Sequence, residues 1–322
     1  MKELKFRTEF VFFFSGIAAG IFILLIIGFY GSKTSGTSQV QNIFNAGSNN
    51  FNKIISPKIP DKIDFAGEKV PLENFEVRER IDREMLVNVY WYSSTILGLK
   101  RANRWFPVIE PILKKNNIPD DFKYLAVIES NLTNTTSYAG AVGFWQLTED
   151  VAKKYGLEVN DEVDERYNVE KSTEAACKYL IDAYSEFKSW TLAAAAFNMG
   201  KNGLEKQIDR QRVHNYYNLL LSEETLRYVA RIISMKLIFS NPEEYGYEIK
   251  KDDLYPPLKT HYIEINSSVE NWTDFAFSHG INYKILKYYN PWLRDISLTN
   301  KKKKVYEIKI PDAGSYESII DE

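Results

Sequence analysis

From Phe10 to Tyr30 the chain reads FVFFFSGIAAGIFILLIIGFY without a charged residue, long enough for one helix to cross a hydrocarbon core of about 30 Å. This predicts a transmembrane span. A cleaved signal peptide would carry a shorter apolar region and a small-residue cleavage site, and no such site is evident. Lys2, Lys5 and Arg7 precede the span and Lys33 follows it, so residues 1–9 are expected in the cytoplasm and the rest outside. Polar residues then dominate from Ser32 to Lys53, followed by Pro57, Pro60 and Pro71, and residues 31–75 are expected to form a flexible tether.

Helical periodicity begins after Phe75. Val77, Ile81, Met85 and Val89 step by four, and Phe106, Ile109, Ile112 and Leu113 mark a second helix. The pattern predicts a mainly helical domain over 76–245. Within it Pro119, Asp120 and Asp121 open a helix, since proline and acidic residues suit a first turn. Leu125, Ile128 and Leu132 share a face of that helix, and Glu129 sits one turn beyond Leu125. Leu192 to Met199 is apolar on every side and Gly200 follows it, as in a helix at the centre of a domain with a glycine cap. From His261 the order becomes strand, helix, helix, strand, which predicts a small α+β module over 258–312.

Charge and composition narrow the function classes. The formal net charge of −2 provides no basic excess to neutralise phosphates, so no nucleic-acid partner is expected. Aromatic residues make up 14% of the chain, a supply suited to stacking on sugar rings, although the core is the first destination of any one of them. The single cysteine, Cys177, allows no intramolecular disulfide and lies in an apolar run, where a buried, inert thiol is expected. His214, His261 and His279 are isolated, so neither a metal site nor a histidine-based triad is predicted, and no cofactor is expected.

Glu129 is the residue with chemistry to offer. A carboxyl partly withdrawn from water keeps its proton to higher pH, which a glycosidase general acid requires. An ordinary ion pair with a lysine or arginine is the alternative for such a position. The surrounding sequence adds three further motifs in order: Tyr138 to Gln146 (YAGAVGFWQ), Ala193 to Gly200 (AAAAFNMG), and Glu223 to Val229 (EETLRYV).

With Glu129-Ser130 these segments resemble the lytic transglycosylases of the SLT superfamily, most closely the membrane-bound lytic murein transglycosylase D group, over Trp105 to Leu237. The resemblance implies a lysozyme-like fold acting on peptidoglycan glycan strands. Glu129 would be the catalytic acid and base, with Ser130 as its hydrogen-bonding neighbour and a substrate contact. Gly143, Phe144, Trp145 and Gln146 would line the cleft, with Trp145 either a sugar platform or core. Phe197 and Asn198 fall on an Ala-Tyr-Asn motif and would contact substrate, with Phe197 either a substrate contact or core, and Glu224, Thr225 and Tyr228 fall on a Glu-Thr-x-x-Tyr motif whose tyrosine would touch the glutamate or the substrate. Phe197 departs from that pattern by lacking the tyrosine hydroxyl, and Thr148-Glu149-Asp150 departs at the turn after the cleft motif.

The same resemblance implies cleavage between N-acetylmuramic acid and N-acetylglucosamine with formation of a 1,6-anhydro sugar. A hydrolytic muramidase using a second carboxylate, and a non-catalytic peptidoglycan-binding scaffold, are the competing readings. The C-terminal module resembles a degenerate LysM module, with Asn266-Ser267-Ser268 where that family usually has Gly-Asp. Removing Thr260 to Glu322 is accordingly expected to leave the cleavage chemistry intact. The whole is expected to be a single-pass protein of the inner membrane, anchored through residues 10–30, with its catalytic domain in the periplasm.

Overall fold

A computed structural model describes residues 55–315. The predicted span at 10–30 and the cytoplasmic stretch 1–9 lie outside the described residues. Among those described, no helix is long and apolar enough to cross a membrane.

The folded unit starts at Pro57, which corrects the expectation of a tether reaching residue 75. Strands β1 (Asp64–Phe65) and β2 (Glu68–Lys69) pair as a hairpin through Ala66 and Gly67, both at positive φ, the backbone a two-residue hairpin turn requires. Phe65 and Val70 are buried. The Glu68 carboxylate accepts the backbone N–H groups of Trp190 and Thr191, serving the unpaired donors at the start of a distant helix. Two-residue strands are too short to show alternation, and the surrounding prolines suggest a linker.

Helix α1 (Phe75–Tyr90) is capped by the Asn74 side chain, and all four of its predicted core positions, Val77, Ile81, Met85 and Val89, are buried. Helix α2 (Tyr92–Lys115) begins well before its predicted apolar stripe and contains Pro107 and Pro111. A 3-10 turn over Asp120–Phe122 leads into the short α3 (Lys123–Ser130). Then follow α4 (Glu149–Lys154), α5 (Val169–Phe187), α6 (Trp190–Met199), α7 (Lys201–Gln211) and α8 (Glu223–Ser240). Ala193 to Ala196 on α6 are fully buried, and their small side chains let α5 and α8 both pack against this central helix. Helix α8 also packs on α1 and α3, which places it behind Glu129.

The C-terminal module has the predicted order: β3 (Thr260–Ile265), α9 (Trp272–Ser278), α10 (Tyr283–Tyr289) and β4 (Tyr306–Pro311). The two strands pair antiparallel from Thr260 opposite Pro311 to Ile265 opposite Tyr306. Trp272, Leu286, Trp292 and Ile308 form its core, and Val163 of the helical domain is buried in the same cluster. The Asp164 N–H donates to the Trp292 carbonyl at 2.9 Å, and Lys304 and Lys309 pair with Glu158 and Glu170. The module is therefore joined to the helical domain by a shared core as well as by the chain.

Candidate active site

Helix α3 ends one residue after Glu129, and the residues that end it also fix its position. Asn131 turns into the left-handed region at φ 51°, and its side chain donates to the Ser94 carbonyl on α2 at 3.0 Å. Gly98 on α2 makes room: a Cβ there would lie 2.5 Å from Asn131 Oδ1. Ser130 is buried, and its Oγ donates to the carbonyls of Ala126 at 3.1 Å and Phe144 at 3.0 Å. It thus joins the glutamate's helix to the loop carrying Gly143–Gln146. This is a positioning task, whereas the substrate contact expected of Ser130 would need an exposed hydroxyl.

Tyr228 on α8 is fully buried, and its hydroxyl donates to Glu129 Oε1 in a short hydrogen bond. Arg231, three residues further along α8, donates to the Ile128 carbonyl at 2.9 Å. Among the described residues no lysine or arginine closes an ion pair on Glu129, which removes the ion-pair alternative. Burial pushes the Glu129 carboxyl above the usual carboxylate range, against the opposing Tyr228 hydrogen bond and the nearby Arg231 charge, with Glu224 adding a further upward push. Burial also raises the Tyr228 phenol well above its ordinary value, reinforced by the Glu129 charge, so the tyrosine is the proton donor in this pair.

The Gly143–Gln146 loop is tightly determined. Gly143 lies at φ +81°, and a Cβ there would meet the Arg166 carbonyl oxygen at 2.1 Å. Gln146 also lies at positive φ, and its Nε2 donates to the carbonyls of Thr135 and Gly143 at 3.0 and 2.8 Å. Trp145 is 0% exposed and its indole N–H donates to Thr173 Oγ1 at 2.9 Å. That places Trp145 in the core and corrects its candidacy as a sugar platform, since no face is open to a ligand. Gly143, being buried under Arg166, shapes the loop and offers no side chain to a sugar.

Phe197 is half-buried with its ring centroid 5.2 Å from that of Tyr179 and 6.4 Å from that of Trp145. The hydroxyl of Tyr179 donates to the Ala196 carbonyl at 2.6 Å, so a buried phenol sits beside the position where Phe197 lacks one. Asn198 joins α6 to the start of α8: its Nδ2 donates to Glu224 Oε1 at 3.0 Å, and it accepts from Thr225 Oγ1 at 2.7 Å. The structure thus brings Glu129 and Tyr228 into direct contact and Ser130 beside the cleft loop. Phe197, Asn198 and Gln146 bond to or pack on residues other than Glu129 and hold the elements around it.

Two residues escaped the sequence reading. Arg231 has a legible signal, a cation three positions after Tyr228 on the same helix. Arg166 has none: paired with Asp164 at 2.7 Å, it donates to the carbonyls of Gly140 and Leu147 and so clamps both ends of the cleft loop. Among the described residues no group of histidine, cysteine and acidic side chains could hold a metal ion. Cys177 is buried, its thiol pushed up to about 12.

Residues 106–220 match the family model of the transglycosylase SLT domain, and residues 261–314 that of the soluble lytic transglycosylase C-terminal LysM-like domain. The membrane-bound lytic murein transglycosylase D of Escherichia coli (strain K12) is 26% identical over 243 residues, 73% of this chain and 52% of that protein, so the chain spans about half the length of this relative. A protein of Alteromonas sp. (strain M-1) named for tributyltin chloride resistance is 29% identical over 125 residues, 38% of this chain and 60% of that one. Among solved structures, an inactive variant of the lytic transglycosylase Slt from Pseudomonas aeruginosa aligns with a TM-score of 0.36 and 15% identity, covering 57% of this chain and 36% of that chain. The two family matches thus give residues 106–220 the likeness of a transglycosylase SLT domain and residues 261–314 that of the LysM-like domain at the C-terminus of soluble lytic transglycosylases.

Proposed function

We propose that the protein is a peptidoglycan lytic transglycosylase in which Glu129 alone performs both proton transfers. The observation that carries this reading is a carboxyl with a raised pKa held by a buried tyrosine at the end of a short helix. Protonated Glu129 gives its proton to the oxygen linking C1 of N-acetylmuramic acid to N-acetylglucosamine, and the C1–O bond breaks. The carboxylate so formed takes the proton of the C6 hydroxyl on the same muramoyl unit, whose oxygen bonds to C1. The Tyr228 hydroxyl and the Arg231 charge favour the ionised form at that moment. No water is consumed and no cofactor is needed.

One observation favours a second reading. The exposed Glu224 is the acidic residue whose charge bears on Glu129, and a hydrolase would use such a carboxylate to activate water. Mass spectrometry of fragments released from purified peptidoglycan separates the two. Transglycosylation gives 1,6-anhydromuramoyl ends, lighter by one water than the reducing ends of hydrolysis; reducing ends alone would overturn the proposal.

The same reading places the protein in the inner membrane through residues 10–30, with the enzyme domain in the periplasm. The uncharged run behind a basic N-terminus motivates it, as does the word membrane-bound in the name of the E. coli relative. A topology reporter fused after Lys53 should be active outside the cytoplasm, and activity confined to the cytoplasm would refute the placement.

A further inference from the structure

A cavity of about 520 Å³ lies between the helical domain and the C-terminal module, within the size range of small-molecule sites. Glu129, Gln146, Asn198 and Tyr228 do not line it, and neither does the Asn266–Ser268 segment of the module. Helix α2 contributes Arg101, Arg104 and Trp105, and the module contributes Tyr262, Tyr288 and Trp292. Leu132, Thr133 and Asn134, which begin two residues after Ser130, also line it, so the cavity abuts the catalytic helix without containing its carboxyl.

Its charges do not cancel. Lys309 and Glu170 pair with each other across the junction. Arg104 donates to the Pro256 carbonyl at 2.9 Å and the Tyr288 hydroxyl at 3.1 Å, and Arg101 to the Asn131 carbonyl at 3.1 Å. Among the described residues neither guanidinium has a carboxylate partner. Each retains unused N–H donors in the planar fork that suits a carboxylate. Tyr262 and Tyr288 are 51% and 55% exposed, and such rings offer faces to the apolar side of a sugar. Glu170 Oε2 is buried without a donor among the described residues, leaving one acceptor at the wall that a hydroxyl or amide of a ligand would satisfy.

We propose that this cavity is a second glycan site, taking an N-acetylated amino sugar that carries a carboxylate, that is, a muramoyl unit of peptidoglycan. The sugar packs on the exposed Tyr262 and Tyr288 rings, with Trp105 beside them and the buried Trp292 closing the floor of the cavity, while the carboxylate meets Arg101 and Arg104. This rests on the peptidoglycan reading above. A strand held here would be retained next to the catalytic helix between cuts. The carboxylate has two sources in peptidoglycan: the lactyl group of peptide-free strands, or the acidic groups of stem peptides.

The test is an NMR titration of the full chain carrying Glu129→Gln, following the indole N–H signals of Trp105 and Trp292. The probes are a peptide-free muramoyl disaccharide, the same unit bearing a stem tetrapeptide, neutral chitobiose, and the tetrapeptide alone. At least one muramoyl probe should shift both indoles and bind at least tenfold more tightly than chitobiose; preference between the two muramoyl probes assigns the carboxylate. Arg101→Gln with Arg104→Gln should weaken binding tenfold or more, and Thr260→Phe, which fills the cavity without removing a charge, should do the same at an unchanged melting temperature. Equal binding of chitobiose, binding of the tetrapeptide alone as tightly as the muropeptide, or indole shifts that survive Thr260→Phe would each overturn the site. The product analysis of the native enzyme is independent of these shifts, so failure of the cavity and failure of the transglycosylase reading are read separately.

Discussion

A carboxyl that gives up a proton and then takes one back must have neither form strongly preferred, and Glu129 is held between opposing influences. Burial favours the acid, while Tyr228 and Arg231 favour the carboxylate. Tyr228→Phe deletes one hydrogen bond to the ionised form, so the Glu129 pKa should rise further. In the proposed mechanism the acid form starts the reaction, so activity should be lost as pH rises through that pKa. The alkaline limb of kcat/KM should therefore move to higher pH, while kcat falls because the carboxylate is less well stabilised and placed. The lost hydrogen bond should cost about 1 kcal/mol of stability. An alkaline limb that stays in place would show that Tyr228 does not act on Glu129. At this scale the contact of Tyr228 with Glu129 was legible in the sequence because motif order and residue type both pointed to it. Trp145 was not, because a tryptophan in a cleft loop and one in a core read identically until its N–H is seen on Thr173.

The loop from Asn131 to Leu147 is the element that turns a helix end into a site. Asn131, Leu132 and Gln146 adopt positive φ, as do Gly140 and Gly143. For Leu132, a buried branched-γ side chain, this conformation carries a cost that the surrounding packing must hold in place. Arg166 provides part of that hold. Gly143 is the most constrained position, since a Cβ would collide with the Arg166 backbone and the φ itself disfavours a side chain. Gly143→Ala should destabilise by at least about 2 kcal/mol and displace the loop from Ser130, lowering activity together with melting temperature in thermal unfolding and cleavage assays. A variant of native stability and activity would contradict the loop account. The glycine was visible in the motif, whereas the Arg166 clamp pairs segments 19 or more residues apart and leaves no periodic trace.

At the scale of the whole molecule, the sequence pattern revealed a helical domain followed by a strand-helix-helix-strand module but not how they join. Val163 buries itself in the module's core, and Arg166 hangs from the Asp164 segment bonded to Trp292. Deleting residues 260–322 should therefore expose this apolar surface, lower the melting temperature of the remaining domain and weaken the cleft loop, against the expectation that the cleavage chemistry is left intact. An unchanged melting temperature would restore that expectation. The hairpin at 64–69 was illegible for a related reason: its stability comes from contacts to Asp121 and the start of α6, not from its own pattern.

The central claim is that one carboxyl carries the chemistry, and Glu129→Gln tests it most directly because it keeps the shape and an acceptor for Tyr228 while removing the titratable proton. Since the folded state raises this pKa, the native carboxyl costs stability as pH rises above the ordinary carboxylate range. The variant should then melt at the same or a slightly higher temperature near neutral pH, with the difference vanishing in acid. Release of 1,6-anhydromuropeptides should fall at least about 100-fold, the lower end expected of general acid and base catalysis. Near-normal release, or retained activity accompanied by a lower melting temperature, would contradict the account.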